Sequence, residues 1–432
     1  MMFPLYTLGY GAAVLTASPF YLVRGLRSGK YWWSLPDRLG LRRPRLPKPE
    51  KDAPRIWLHA LSLGEVVSAA PLAERLLGLG CEVCLSTTTR SGFEIARKSI
   101  PSDAARLPFP LDWPPAIRRI QRSVRPDLFV LVETDVWPNF LAGLKQAGVP
   151  AVLVGGRISP RSLAGYRLIK GFWKRVLDLF ACIGCQTQLD RERILSLGAR
   201  PEKVVVTGNL KFDRPIPESG PEMRKRLLAQ TGLPDRPWLV AGSTHPGEDE
   251  IILRVYGRLK AGQASLGLIL APRNRERFEP VWRLIITGGH RAGRRTGPAP
   301  TPETEVFLLD TYGELDGFYE LADVVFVGKS LPVPGEGGGH NLLEPAARSK
   351  PVLFGPRMHN FPAVAQAMSE AGGGRQVADE EELYSTLDEL LSQPARRTDM
   401  GRRAKRVIEE HRGALDRTMD LIKGVLPHEL GA

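Results

Sequence analysis

Short apolar runs alternate with amphipathic segments along most of the chain. RIWLHAL predicts a strand, VVSAAPLAERLLGLG a helix, EVCLSTT a strand and SGFEIARKSI a helix, followed by the strands DLFVLVET and AVLVGGR. A helix around LIKGFWKRVLDLF, the strand ACIGCQT, the helix LDRERILSLG and the strand KVVVTGN continue the pattern. Strands separated by helices need crossover connections, so the sheet they build is parallel and covered on both faces. A polar stretch, DRPIPESGPEMRKR, then interrupts the alternation and reads as a linker over 213–235. Beyond it come PWLVAGST, EDEIILRVYGRLK, LGLILAP, EVFLLD, DVVFVG, LLEPAARS, PVLFG and a C-terminal helical region. The chain therefore reads as two α/β halves, 52–212 and 236–432, with the last helix free to pack back on the first half. Doubly wound sheets bind ligands outside the carboxyl ends of their strands, which makes the cleft between the halves the expected site.

The N-terminus breaks the alternation in a different way. Residues 1–23 carry no charged side chain, whereas 24–51 hold nine basic groups (Arg24, Arg27, Lys30, Arg38, Arg42, Arg43, Arg45, Lys48, Lys51) against Asp37 and Glu50. An uncharged stretch of about 20 residues can embed in or span a bilayer as a helix, and a basic flank favours the cytoplasmic side. Tyr6, Tyr10, Tyr21, Trp32 and Trp33 suit interfacial depth. Pro4, Gly9, Gly11 and Pro19 disfavour a straight spanning helix, so a helix lying along the surface competes with one that spans. No basic n-region precedes the apolar stretch and no small-residue cleavage site follows it, which argues against a signal peptide.

Only then does composition add something. With 432 residues, 43% hydrophobic and 25% charged, the chain has material for two ordinary domains, and disorder and fibre are excluded. A formal charge of +13 calls for an acidic partner, and more than half of it sits in the 24–51 stretch. That location points to an anionic membrane surface rather than nucleic acid, since no basic strand with interleaved aromatics and no recognition helix is evident. Cys81/Cys84 and Cys182/Cys185 have C-x-x-C spacing, but both pairs fall in apolar runs read as strands. Residues three apart on a strand point to opposite faces, so neither pair can chelate a metal from one side, and buried reduced thiols are the simpler reading.

Candidate chemistry gathers at strand ends. Ser62 and Glu65 follow the first strand with the spacing of a helix capping box; a carboxylate at that rim can equally take a proton from a substrate hydroxyl. Glu133 ends another apolar run, so it joins Glu65 as a carboxylate pair able to divide acid/base and charge-stabilising roles. Asp135 suits a helix cap and Trp137-Pro138 packing at a helix head. In the second half, Gly242-Ser243-Thr244 closes a strand with a turn whose N–H groups could receive an anion, and Arg273 ends the next run. Gly337-Gly338-Gly339-His340-Asn341 leads into a helical segment, offering free N–H groups to a phosphate, with Glu344 placed to meet a ribose hydroxyl.

HALSLGE, LVETDVWPNF, the run from GGRIS to TGNLKFD, LILAPRN, LLDTYGEL, GGHNLLEPAA and KPVLFGPRMHNF together resemble the 3-deoxy-D-manno-octulosonic acid (Kdo) transferases of lipopolysaccharide synthesis. The resemblance runs through nearly the whole chain. It implies a GT-B glycosyltransferase fold of two Rossmann-like domains, with CMP-Kdo on the C-terminal half and a lipid A precursor reaching the N-terminal half from the inner membrane. It implies general-base catalysis by Glu65, transition-state stabilisation by Glu133 and Lys211, and cytidylate contacts from Pro272, Arg273, Tyr312, Gly313, Glu314, Asn341, Leu342, Leu343 and Glu344. Ser243, Thr244, Lys329, Gly338 and Gly339 are further candidates for anion contact. A single inverting displacement without cofactor or metal is expected; no Asp-x-Asp motif accompanies the fold, and a donor with one phosphate needs less charge neutralisation. Lys329 stands where the family commonly has Gly, and Asn274 where His is usual. The loop GEGGGHN and the PVP before it also differ from the common form. A UDP-sugar transferase or epimerase would explain the architecture but not ETDVWPNF and GGHNLLEP, and a non-enzymatic binder would explain only the charge.

Overall fold

A computed structural model describes residues 3–28, 34–44, 46, 53–133, 135–213, 217–335 and 337–426, the side chains of 19–28 and of Leu63 excepted. The chain divides into two compact units, Met1–Arg214 with His411–Ala432, and Pro215–Glu410. Among the described residues each contains one seven-stranded sheet.

The first sheet comprises β1 (Arg55–His59), β2 (Glu82–Thr87), β3 (Ala105–Pro108), β4 (Leu128–Val132), β5 (Ala151–Gly156), β6 (Cys182–Cys185) and β7 (Val204–Val206). Its order is β3-β2-β1-β4-β5-β6-β7, and every pairing is parallel. The central strands β1 and β4 are buried at every position, as a parallel sheet covered on both faces requires. Side chains alternate between the two faces: Trp57, Phe129 and Leu131 enter one core, Ile56, Leu58 and Val130 the other. The cysteines obey the same rule. Cys84 and Cys185 join the first core, whereas Cys81 and Cys182 lie against the second. Burial pushes the Cys81 and Cys84 thiols up to about 11, leaving them protonated at neutral pH.

The second sheet comprises β8 (Trp238–Thr244), β9 (Gly267–Pro272), β10 (Ala292–Arg294), β11 (Val306–Leu308), β12 (Val324–Val327), β13 (Val352–Phe354) and β14 (Gly374–Gln376). Its order is β10-β11-β9-β8-β12-β13-β14, so β8 has three strands on each side where β1 has two and four, and β11 lies between β9 and β10. In both sheets the earlier strands build on one side of the first strand and the later ones on the other, so each has a switch point beside its first strand.

Two helices near the boundaries of the units complete the fold. The stretch read as a linker over 213–235 contains a helix, Pro221–Thr231, which belongs to the second unit. Pro221 starts it, Gly232 ends it at φ 72°, and Arg224 fastens it to the Leu321 carbonyl at 2.6 Å. The chain's last helix, Ala414–Lys423, packs on the first unit, with Met419 and Ile422 in its second core. Asp213 receives the N–H groups of Gly413 and Leu415 at 2.6 and 2.5 Å and so caps this helix from two hundred residues away.

The N-terminal helix, Pro4–Ser28, docks on its own unit through aromatic contacts. Phe3 meets Phe172 at 5.4 Å, Tyr10 meets Trp137 at 6.4 Å, and the Thr7 hydroxyl donates to Asn139 at 3.1 Å. Leu5, Leu8 and Leu15 face outward and are 85%, 72% and 74% exposed. Among the described residues no helix is long and apolar enough to cross a membrane. Of the basic stretch, Lys30, Arg45, Lys48 and Lys51 lie outside the described residues, as do Trp32 and Trp33 and the side chains of Tyr21, Arg24 and Arg27.

Candidate active site

In the first unit, the two strands flanking the switch point each deliver a carboxylate. β1 runs through Ala60–Ser62 into the helix Leu63–Gly78, whose first turn carries Glu65. The Glu65 carboxylate accepts the Leu61 N–H at 2.6 Å and the Ser62 hydroxyl at 3.0 Å. Ser62 holds the N-cap position in extended geometry but makes no side-chain bond to the helix N–H groups. Neither bond of the capping box is made, since Glu65 takes the Leu61 N–H rather than that of Ser62, and the serine supports the carboxylate instead. Burial raises Glu65 from the ordinary carboxyl range to about 7; the nearby Glu133 pushes in the same direction, and the bonds from Leu61 and Ser62 oppose both. A carboxylate poised there is matched to accepting a proton near neutral pH.

Glu133 is the first residue after β4 and has φ 62°, a left-handed conformation unusual for a glutamate. Its N–H is held by the Val154 carbonyl at 2.8 Å, and its carboxylate pairs with the Lys211 ammonium at 2.8 Å. The pair is largely buried, with side chains 19% and 15% exposed. Lys211 sits in the short turn Leu210–Asp213, whose last residue is the cap of the C-terminal helix. Phe212 of the same turn stacks on His411 at 4.7 Å. Glu65, Glu133 and Lys211, drawn from three separated motifs, therefore share one place.

Two neighbours carried no sequence signal. His59, at the end of β1, is fully buried, stacked on Phe109 at 3.7 Å, and its Nε2 lies 3.7 Å from Asp135. Asp112 is raised to about 6 by burial while accepting the N–H groups of Asn139 and Phe140. Both sit under the N-terminal helix region, where Tyr6 also bonds Asp112. Asp135 accepts the Trp137 indole N–H at 2.8 Å.

In the second unit the switch-point strands end in basic and imidazole groups. β8 closes with Ser243, at φ 54°, and Thr244, whose hydroxyl donates to Asp249 at 2.5 Å. Arg273 follows β9, and its N–H donates to the Thr244 carbonyl at 3.0 Å, joining the two strand ends. Lys329 follows β12 at φ 60°. Beneath them, the fully buried Glu248 carboxylate accepts the N–H groups of His245, Lys329, Ser330 and Leu331 at 2.7–3.0 Å. Gly338 and Gly339 adopt φ 134° and 70°, and their N–H groups donate to the carbonyls of Arg357 and Lys329. Those N–H groups are engaged in holding the loop, whereas the sequence suggested that they were free. The following helix, Leu343–Ala347, is only five residues long, and Asn341 accepts the Leu343 N–H while donating to Glu344 at 3.2 Å. Leu342 and Leu343 are buried in packing. Pro272 ends β9. Tyr312 is exposed and leans on Phe278 at 5.7 Å; Gly313 turns at φ 85°, and Glu314 is held by Thr311 and Arg295.

A family model described as 3-Deoxy-D-manno-octulosonic-acid transferase (kdotransferase) matches residues 34–214. The chain is 33% identical over 428 residues to a 3-deoxy-D-manno-octulosonic acid transferase of Haemophilus influenzae, an alignment that covers 96% of this chain and 98% of the relative. The chain belongs to the Kdo transferase family. A relative of the same description from Bordetella pertussis is also 33% identical, over 93% of this chain and 94% of its own. Membership makes the chain a glycosyltransferase of lipopolysaccharide biosynthesis. Among solved structures, a glycosyltransferase from Rickettsia africae aligns with TM-score 0.57 at 12% identity, covering 88% of this chain and all of that one. The S. aureus MnaA-UDP co-structure gives TM-score 0.56 at 16% identity over 87% and 98% of the two chains. Both share the two-domain GT-B architecture. Asn274 and Lys329 line one cavity of about 290 Å³ together with His245, Gly337 and Arg357.

Proposed function

We propose that the protein transfers Kdo from CMP-Kdo to a sugar hydroxyl of a lipid A precursor, lipid IVA, in a single inverting displacement. Glu65 takes the hydroxyl proton as the oxygen attacks the anomeric carbon. Lys211, held against Glu133, supplies positive charge as the cytidylate departs. The observation that carries the reading is the buried Glu65 carboxylate, poised near 7 beside the Glu133–Lys211 pair. Cytidylate is assigned to the second unit through Pro272-Arg273, Tyr312 to Glu314 and Asn341 to Glu344. No metal is needed in this scheme, because the single donor phosphate can be met by Arg273 and Lys329.

Mass spectrometry of a lipid A precursor incubated with the protein tests this, with CMP-Kdo in one arm and UDP-sugars in another, each with and without a chelator. A Kdo-sized mass increase from CMP-Kdo alone, insensitive to chelation, is expected. An unchanged lipid that a known Kdo transferase modifies would sink the assignment.

The acceptor is lipid-borne, and the docked N-terminal helix presents Leu5, Leu8 and Leu15 outward, which supports placement of this helix along the inner membrane's cytoplasmic face. Replacing those three leucines by Ser should weaken sedimentation with anionic lipid vesicles about tenfold or more, given roughly 1.5–3 kcal/mol per buried leucine, with little change in sedimentation if the surface lies elsewhere.

A further inference from the structure

We propose that Lys329, acting with a hydrogen-bonded imidazole pair, His245 and His340, forms the receptor for an oxyanion of the nucleotide-activated sugar acid. The inference rests on the CMP-Kdo reading, keeps its use of Lys329 and extends it to two histidines which that reading does not use.

Geometry carries it. The imidazole Nε2 atoms of His245 and His340 lie 3.1 Å apart, with ring centroids at 5.3 Å. Ninety-five positions separate them in sequence, and two backbone devices bring them together. Glu248 holds the N–H groups of His245 and Lys329 on one carboxylate oxygen, at 2.9 and 2.7 Å. The Gly339 N–H, one residue before His340, donates to the Lys329 carbonyl at 2.8 Å. Three loops are thus pinned around one cavity of about 290 Å³, whose lining includes His245, Asn274, Lys329 and Arg357 and, among the described residues, no carboxylate.

Lys329 is an odd choice for its backbone. At φ 60° a glycine would be at ease and a lysine is strained, and such strain is kept where the side chain has work to do. The positive charges of Lys329 and Arg273 bear on both imidazoles, and Arg277 adds to the field at His245. Burial and these cations hold His245 down at about 4 and His340 at about 3, so the pair is neutral, one ring donating to the other. Among the described residues no carboxylate lines the cavity, and the nearby Glu248 and Asp249 are spent on backbone N–H groups, Thr244 and Arg277, so the lining is left net positive, which suits an anion better than a sugar hydroxyl. An arriving oxyanion offsets the cations, favours the imidazolium form and therefore draws in protons.

The donor has two oxyanions, its phosphate and its carboxylate, and binding experiments separate them. Calorimetric titrations with cytidine, CMP and CMP-Kdo would be run on the wild type, Lys329→Gly and His340→Gln, in buffers of different ionisation enthalpy. Lys329→Gly relieves the left-handed strain, so its thermal midpoint should equal or exceed that of the wild type, which separates lost binding from lost folding. A loss of about 10- to 100-fold for CMP and CMP-Kdo, with cytidine unchanged, assigns the phosphate. A loss confined to CMP-Kdo assigns the carboxylate. In either case wild-type binding near pH 6 should take up protons, and His340→Gln should abolish the uptake. Undiminished affinity of Lys329→Gly for both anionic ligands, in a background where the wild type binds them, overturns this inference and leaves the donor assignment standing. A wild type that binds none of the three overturns the donor assignment, and this inference with it.

Discussion

The two sheets are both parallel, with a switch point beside the first strand of each, and the electrostatics at the two switch points are opposite. Beside β1 and β4 stand Glu65, Glu133 and Asp135, with Lys211 as the cation brought to them. Beside β8, β9 and β12 stand Arg273, Lys329 and the imidazole pair, with the carboxylates of Glu248 and Asp249 folded underneath as backbone and side-chain anchors. The fold supplies adjacent strand ends in each case; the residues placed there decide the sign of the charge at the rim. Backbone strain follows the same symmetry. Glu133, Ser243 and Lys329 all take left-handed φ immediately at or after a central strand, which re-aims the chain over the rim.

The largest test of this contrast is Glu65→Gln. It should lower Kdo transfer about 10²- to 10⁴-fold while leaving CMP affinity unchanged, as measured by product mass spectrometry and calorimetry. A variant that keeps most of its rate would remove the base role, and one that loses CMP binding would mean that the two rims are not functionally separate.

Glu133→Gln sharpens the electrostatic half of the comparison. Removing a like charge lowers the Glu65 pKa, so the acidic limb of the rate profile should move to lower pH from its midpoint near 7, by about half a unit to one unit. Turnover at the plateau should fall as well, since Lys211 loses its anchor. A limb that stays in place would show that another group sets it.

The smallest expected effect concerns stability. Glu65 has a folded pKa raised above its unfolded value, so the folded state retains a proton that the unfolded chain releases, and stability falls as pH rises through the interval up to about 7. Glu65→Gln does not titrate there. Its advantage over the wild type should be on the order of 1–3 kcal/mol at pH 8, several degrees in Tm, and should fade toward pH 4. Parallel melting curves across that range would show a carboxylate that is not strained by its surroundings.

Much of the fold was legible because parallel strands buried on both faces write long apolar runs, as β1, β4, β8 and β9 do. The edge strands β3, β10 and β14 were not: each has three or four residues, with at most one fully buried, too few to show a period. The helix Pro221–Thr231 was hidden by its polarity, since Arg224 and end-capping rather than an apolar stripe secure it. At the site, motif spacing located Glu65 and Glu133 at strand ends, but the elevation of Glu65 comes from burial, which spacing does not encode. His340 stood inside a quoted motif and His245 one residue past another, neither with a role, because only the folded loops reveal that they touch. The Gly338 and Gly339 N–H groups were misjudged for the opposite reason: their partners are distant backbone carbonyls.

The Asp213 clamp on the last helix sets an order of assembly. During synthesis the ribosome completes β1 to β7 and then all of the second unit before the residues after His411 emerge. Until they do, the turn bearing Lys211 lacks the helix that Asp213 caps and the ring on which Phe212 stacks. A nascent or prematurely ended chain therefore lacks the helix and the ring that hold the Lys211 turn in place beside Glu133.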